Sequence, residues 1–335
     1  MHQSKLRYGI IGFGNFAERA ILPAIQASHN SEVVAIQKRN QTEAEVKARQ
    51  YGIPFAFSST EELVRCADVD AVFIVAANSQ HCAETLLASK ANKHVLVEKP
   101  MAMNVAEAQR MIDVCKQNNV KLMVGYMLRF SPLLIRMREL VREGHIGKII
   151  SARSEFVYDA SLSKRTWLFD RKIAGGGPTF DIAVHCFDSL RFILDDEIIS
   201  TQAMLNPQPT ETRTEVSSLL SLQFAKGHSA SVFTSFEVPV RKTLLEITGR
   251  KGILSVENFT VSNVTADLVI DGLGLTAVPG FIDVNTDSDH YLSLFTNPSQ
   301  HDFLLQGVTT IIGGQCGSSL APLLYGSLKS IRKWG

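Results

Sequence analysis

Between about residue 6 and residue 125, short apolar runs alternate with amphipathic stretches of helical period. The runs at 7–11, 33–36, 71–76, 94–97 and 121–124 are the predicted strands. Continuous apolar strands separated by helices imply a parallel sheet covered on both faces, the doubly wound α/β arrangement. One helix start is explicit. Asn104 stands as N-cap with Glu107 at the third helical position, and Val105, Ala108, Ile112 and Cys115 recur on one face.

After a linking helix at about 132–143 the texture changes. Strand-like runs follow at 148–157, 200–205, 215–224, 228–237, 243–248 and 253–256. Ser217, Leu219 and Ser221 alternate with Leu220, Leu222 and Phe224, the pattern of an antiparallel sheet with one better-buried face. One long helix is expected after Gly175-Gly176-Gly177. From about residue 262 the chain carries glycine-rich turns, a Pro279-Gly280 pair and a basic run at 329–333. The expected division is 1–125, 126–261 and 262–335.

A chain of 335 residues with 45% hydrophobic content fits about two domains with true cores. The 34 basic residues nearly balance 33 acidic ones, a net charge of +1, so neither nucleic acid nor an anionic membrane is an expected partner. The longest apolar runs, such as 71–77, fall far below the roughly 18 residues of a membrane span. Residues 1–8 are polar with no signal-peptide core, and the expected setting is the cytoplasm. Five cysteines, Cys66, Cys82, Cys115, Cys186 and Cys316, are scattered without a C-x-x-C pair. That argues against a disulfide framework and a zinc knuckle, and no metal site is expected.

The first predicted strand runs into Gly9-Ile10-Ile11-Gly12-Phe13-Gly14-Asn15-Phe16-Ala17, a G-x-G-x-x-A fingerprint between a strand and a helix. Gly12 permits the tight turn, Gly14 lets backbone approach a pyrophosphate, and Ala17 lets helix and strand touch. Gly12, Phe13, Gly14, Asn15 and Phe16 are therefore candidate dinucleotide contacts. The fold class is α/β: an N-terminal Rossmann doubly wound parallel sheet, then an α+β domain with an open, mostly antiparallel sheet. After the second strand, an NAD site would carry a carboxylate for the ribose 2′-hydroxyl, but this chain has Gln37-Lys38-Arg39. Lys38 and Arg39 suit a 2′-phosphate, so NADP is the expected cofactor, with NAD the alternative. A merely solvated loop is the competing reading of the two cations.

The strand at 94–97 ends in Glu98-Lys99-Pro100, and open α/β sheets bind ligands at the carboxyl ends of their strands. Lys99 is a donor aimed at substrate or cofactor, with Pro100 restricting its backbone to extended geometry. The second half of the site lies in the helix opening at Pro178. There Asp181, His185 and Asp188 fall at i, i+4 and i+7, on one face of an otherwise apolar helix. A His185 of near-neutral pKa beside Asp181 is a general acid and base with its orienting carboxylate. A core histidine bonded to Asp181 for structure alone is the alternative.

These residues together resemble the Gfo/Idh/MocA oxidoreductases over about residues 5–258. The likeness rests on the glycine fingerprint, Asn78-Ser79-Gln80-His81, Glu98-Lys99-Pro100, and the triple-glycine helix with Asp181 and His185. It implies hydride transfer between nicotinamide C4 and a carbinol carbon of a sugar or polyol. Lys99, Asp181 and His185 would be the catalytic group. Lys99 would hydrogen-bond the reacting oxygen, His185 would move its proton, and Asp181 would hold the imidazole. Asn78, His81, Glu98 and Lys99 would join the cofactor contacts, and Arg129, Arg165, Trp167 and His185 the substrate contacts. Ala77 replaces the proline common before Asn78. A homo-oligomer through the C-terminal-domain sheet is expected. A non-catalytic dinucleotide or sugar-ligand sensor is the rival from another class.

Residues 267–324 resemble the start of N-acyl-D-amino-acid deacylases of the amidohydrolase superfamily. The likeness is clearest in Val278-Pro279-Gly280-Phe281-Ile282-Asp283-Val284 and Gln306-Gly307-Val308-Thr309-Thr310. Asn285 and Asp287 stand where a metal-binding His pair is expected, and about 50 residues follow, against roughly 250 for a barrel. The expectation is a non-catalytic fragment that leaves the preceding sheet with an unpaired edge.

Overall fold

Ile10 and Ile11 are both fully buried, and they belong to different core clusters. Successive strand residues point to opposite faces, so a strand covered on both sides must be apolar throughout. That is the arrangement in the computed structural model, which describes residues 5–260, 267–270, 281–283 and 308–311. The chain divides into two units, Met1–Ile270 and Asp271–Gly335.

The first sheet contains β1 (Leu6–Ile11), β2 (Ser31–Gln37), β3 (Phe55–Phe57), β4 (Ala71–Ile74), β5 (His94–Val97) and β6 (Leu122–Val124). All pairs are parallel, in the order β3-β2-β1-β4-β5-β6. The order reverses between β1 and β4, the switch point at which such sheets hold ligands. β3 has no counterpart among the predicted strands. The helix Val105–Gln117 has the expected cap, with Asn104 accepting from the Glu107 amide at 2.9 Å. The Glu107 carboxylate reaches back to the Met103 amide instead of that of Asn104. Val105 is corrected as a core position: it is 86% exposed, while Met111 and Cys115 are buried.

The second sheet follows the helix Pro132–Arg142. Its strands are β7 (Ile149–Asp159), β8 (Ile198–Asn206), β9 (Ser217–Phe224), β10 (Ser229–Ser235), β11 (Glu237–Gly249), β12 (Gly252–Glu257) and β13 (Asp267–Ile270). The order is β13-β12-β11-β7-β10-β9-β8, and only the β7–β10 pair is parallel. Leu220, Leu222 and Phe224 of β9 face the core, and Leu219 and Ser221 face outward. β13 lies past the boundary expected at 261 and pairs along β12, so that edge is not bare. Between Glu237 and Lys242, β11 leaves the ladder, advancing five positions while β7 advances two.

The single long helix expected after the glycines is two pieces. A turn at Pro178–Asp181 is followed by the helix Ala183–Leu194. The His185 amide donates to the Ile182 carbonyl, not to that of Asp181, and the Asp181 carbonyl accepts from the Lys99 ammonium at 2.8 Å. A side chain has taken the place of a ladder bond, which breaks the helix.

In the second unit β14 (Phe281–Asp283) and β15 (Val308–Ile311) form a parallel pair. The remaining residues of the deacylase-like motif, Asn285 and Asp287 among them, lie outside the described residues, as does Cys316. Cys66, Cys82, Cys115 and Cys186 are free thiols, and burial pushes Cys186 up to about 12.

Candidate active site

The glycine loop is tied to β2 from below. The Gly12 amide donates to Gln37 Oε1 at 3.0 Å, and the Phe13 amide to the Gln37 carbonyl at 2.9 Å. Gln37 Nε2 donates onward to the Ser58 carbonyl at 3.0 Å. Gly12 has φ +80°, and a Cβ there would lie 2.8 Å from the Ala76 backbone. At Gly14, by contrast, a Cβ would meet nothing closer than 3.8 Å. The loop is thus closed beneath Gly12 and open above Gly14, a cradle fit for a pyrophosphate.

Asn15 and Phe16 are exposed on this loop, but the Phe13 side chain is corrected as a contact. It is buried in the core, its ring centroid 6.2 Å from that of Tyr51. Lys38 donates to the Phe13 carbonyl at 3.4 Å and pairs with Glu43 at 3.2 Å. Arg39 is exposed with no ion pair among the described residues.

His81 is also corrected. Its Nδ1 lies 2.8 Å from the Pro100 carbonyl oxygen and its Nε2 3.1 Å from that of Ala76. Both nitrogens face backbone, leaving none for a cofactor. Burial depresses its pKa. The buried Asn78 side chain donates through Nδ2 to the Ala174 carbonyl at 2.8 Å, linking the loop after β4 to the residue before the triple glycine.

Glu98 Oε2 accepts from the Lys99 amide at 3.1 Å, and burial raises this carboxyl. Lys99 Nζ donates to the Asp181 carbonyl at 2.8 Å and to Asp181 Oδ1 at 3.1 Å. Arg165 grips the same carboxylate with two nitrogens at 3.2 Å, and the Tyr158 hydroxyl donates to Oδ2 at 3.1 Å. Burial by itself would raise Asp181, but Lys99 and Arg165 outweigh it and hold the carboxyl far below its ordinary range.

Asp181 therefore orients Lys99, and not the imidazole as expected from helical spacing. His185 Nδ1 is buried without a hydrogen-bond partner. Burial first, and the Lys99 charge second, push His185 down to about 3, in place of the near-neutral value expected. Arg129 is taken up by Asp188, with Nε 3.0 and 2.9 Å from the two carboxylate oxygens and Nη2 at 2.6 Å. Of the three groups on the predicted helical face, Asp181 and Asp188 thus sit in separate ion pairs and His185 in neither. Trp167 is half-buried, its ring 6.0 Å from the Arg165 guanidinium carbon.

Sequence reasoning missed Tyr158 and the strut made by Gln37. The signal for Tyr158 was its inward parity with Phe156 on β7. Among the described residues no group of three His, Cys, Asp or Glu side chains is placed to hold a metal ion.

The family profile described as "Oxidoreductase family, NAD-binding Rossmann fold" matches residues 6–126, and that of the GFO/IDH/MocA C-terminal domain matches residues 134–255. The chain is 33% identical over 257 residues to the 1,5-anhydro-D-fructose reductase of Ensifer adhaerens, covering 75% of this chain and 76% of that protein. The chain belongs to the Gfo/Idh/MocA oxidoreductase family. A further relative is D-xylose 1-dehydrogenase (NADP(+)) 2 of Haloferax volcanii, 30% identical over 236 residues and 70% of each chain. Among solved structures, the aldose-aldose oxidoreductase of Caulobacter crescentus complexed with glycerol superimposes with a TM-score of 0.73. It is 25% identical and covers 98% of this chain and 97% of its own. Residues 6–126 are an NAD-binding Rossmann domain, and no helix among the described residues is long and apolar enough to cross a membrane.

Proposed function

We propose that this protein is an NAD(P)-dependent oxidoreductase acting on a carbinol carbon of a sugar or polyol, with Lys99, Asp181 and His185 as its working group. The observation that carries the reading is the Lys99–Asp181 pair at the end of β5, beside a buried neutral imidazole. The two relatives named above, an anhydrofructose reductase and a xylose dehydrogenase, support the substrate class.

The Gly12 and Gly14 backbone, Asn15 and Phe16 would hold the pyrophosphate, and Asn78, Glu98 and Lys99 stand at the ends of β4 and β5. Bound nicotinamide supplies the hydride acceptor or donor. NADP is preferred in this reading, because Gln37 offers no carboxylate to the ribose and Arg39 is exposed.

An ammonium has three donors, and Asp181 uses two. The third is available to the reacting oxygen. Asp181, held ionised by its neighbours, fixes where that donor points. Hydride loss from the carbinol carbon turns its hydroxyl into a protonated carbonyl, a far stronger acid than any imidazolium. A neutral His185 can therefore take that proton despite its low basicity, and it returns the proton in the reverse direction.

A cytoplasmic homo-oligomer is part of the same reading. The described cysteines are unpaired, and Phe233, Leu219 and Met204 form one exposed apolar row across β10, β9 and β8. The division near residue 125 and a non-catalytic role for the deacylase-like segment from about 262 also belong to it.

Lys99→Ala and His185→Ala should each abolish turnover across a sugar panel while NADPH still binds. Unchanged turnover in both overturns the mechanism. Cofactor binding by the wild type with no turnover of any sugar would favour the sensor.

A further inference from the structure

Where β11 departs from the β7 ladder, the chain between Glu237 and Lys242 loops out, and Arg241 is its last residue. Bulges of this kind re-aim a side chain beside a site. The Arg241 guanidinium carbon lies 5.5 Å from the centroid of the Phe156 ring, and that ring is 6.2 Å from the His185 ring. Arg241 and His185 thus both border the Phe156 ring.

The neighbouring Lys242 pairs with Glu155 at 3.5 Å. Arg241 instead donates to a neutral hydroxyl, Thr260 Oγ1, at 3.0 Å, and has no carboxylate partner among the described residues. A guanidinium carries five N–H donors in a planar fork, so most of the Arg241 fork remains available. The cluster holds three cations: Lys99 and Arg165 on Asp181, and Arg241 beside Phe156. Against them are two carboxyls, Asp181 and Glu98, and burial raises Glu98. The Arg241 charge reaches His185 and further depresses its basicity. Arg129 and Asp188 cancel each other nearby. The site therefore lacks at least one negative charge.

We propose that Arg241 is a specificity-determining residue that binds a carboxylate of the substrate, making the preferred substrate an acidic sugar and not a neutral one. This rests on the sugar-oxidoreductase reading. A single carboxylate matches the planar fork of one guanidinium, and the test sets it against a dianionic phosphate.

The test uses the full chain. Calorimetry with saturating NADPH compares binding of D-glucuronate, D-glucose and D-glucose 6-phosphate, and steady-state kinetics with NADP+ compares the same three. D-Glucuronate should bind about tenfold or more tighter than D-glucose, the scale of one charge-assisted contact. Added salt should weaken the acid selectively. Arg241→Gln should lower the glucuronate-to-glucose ratio of kcat/KM about tenfold, chiefly through KM, and Arg241→Lys should keep part of that ratio. A structural role would lower both sugars alike.

Equal or tighter binding of D-glucose overturns the inference while the oxidoreductase reading stands. Tighter binding of the phosphate overturns the carboxylate assignment. Selective binding of the acid with no turnover of any sugar leaves Arg241 in place and overturns the reading beneath it. If Arg241→Gln does not fold, the wild-type comparison and Arg241→Lys still decide.

Discussion

One ammonium, that of Lys99, donates to both the backbone carbonyl and the carboxylate of Asp181. The carbonyl contact breaks a helix, and the carboxylate contact joins the end of β5 to the Pro178–Asp181 turn through a buried ion pair. Asp181→Asn keeps the shape and removes the charge. Removing one partner of a buried pair costs about 3–5 kcal/mol, and half-exposure of Arg165 reduces this to about 2 kcal/mol. A lower melting temperature together with a large loss of kcat is expected. Wild-type kcat in Asp181→Asn would remove Asp181 from the mechanism.

The two loop glycines should fail differently. Gly12→Ala forces a Cβ against the Ala76 backbone at positive φ, so stability falls by about 1–3 kcal/mol and NADPH binding falls with it. Gly14→Ala has room for its Cβ, so the chain should unfold at the wild-type temperature while NADPH titration shows weaker binding. Equal melting losses in the two variants would contradict this assignment of roles.

Acidity acts on two groups in opposite senses. His185 is depressed from 6.5 to about 3, so the unfolded chain binds its proton first and stability is lost as pH falls from about 6.5 toward 3. The same shift predicts that kcat/KM shows no His185 titration between pH 6 and 7. Glu84 is raised from 4.5 to about 7 by burial, and its Oε2 has no hydrogen-bond partner. Its protonated form stabilises the fold below about 4.5, and that contribution disappears as pH rises through 7. Glu84→Gln should therefore raise stability at pH 8 by about 2 kcal/mol, with the gain vanishing near pH 4. Urea unfolding at the two pH values measures it.

Leu219 of β9 sits at the middle of the outward apolar row, between Phe233 of β10 and Met204 of β8. Leu219→Glu places a charge there without touching the core. Light scattering should show a smaller assembly than the wild type. An unchanged mass would mean that this face is not the interface.

The sheets and the glycine fingerprint were legible because they depend on local period and on residues adjacent in sequence. β1 and β9 show this, one continuous in apolar residues and one alternating. What escaped depended on distant partners. His81 looks like a ligand contact until the Pro100 and Ala76 carbonyls close on it. Asp181 and His185 obey helical spacing, but Lys99, 82 positions earlier than Asp181, takes the carbonyl that would have continued the helix. Tyr158 and Arg241 enter only because strand ends of the second sheet converge on the site, a property of topology that no local pattern carries.

Asn78 reaches from the loop after β4 to the carbonyl of Ala174, immediately before the glycines that introduce Asp181. Dinucleotide grip and cleft shape are therefore mechanically one variable. A replacement there should move the affinity for the coenzyme and the KM for the substrate together, and adaptation of the chain to a new coenzyme would carry its substrate range along.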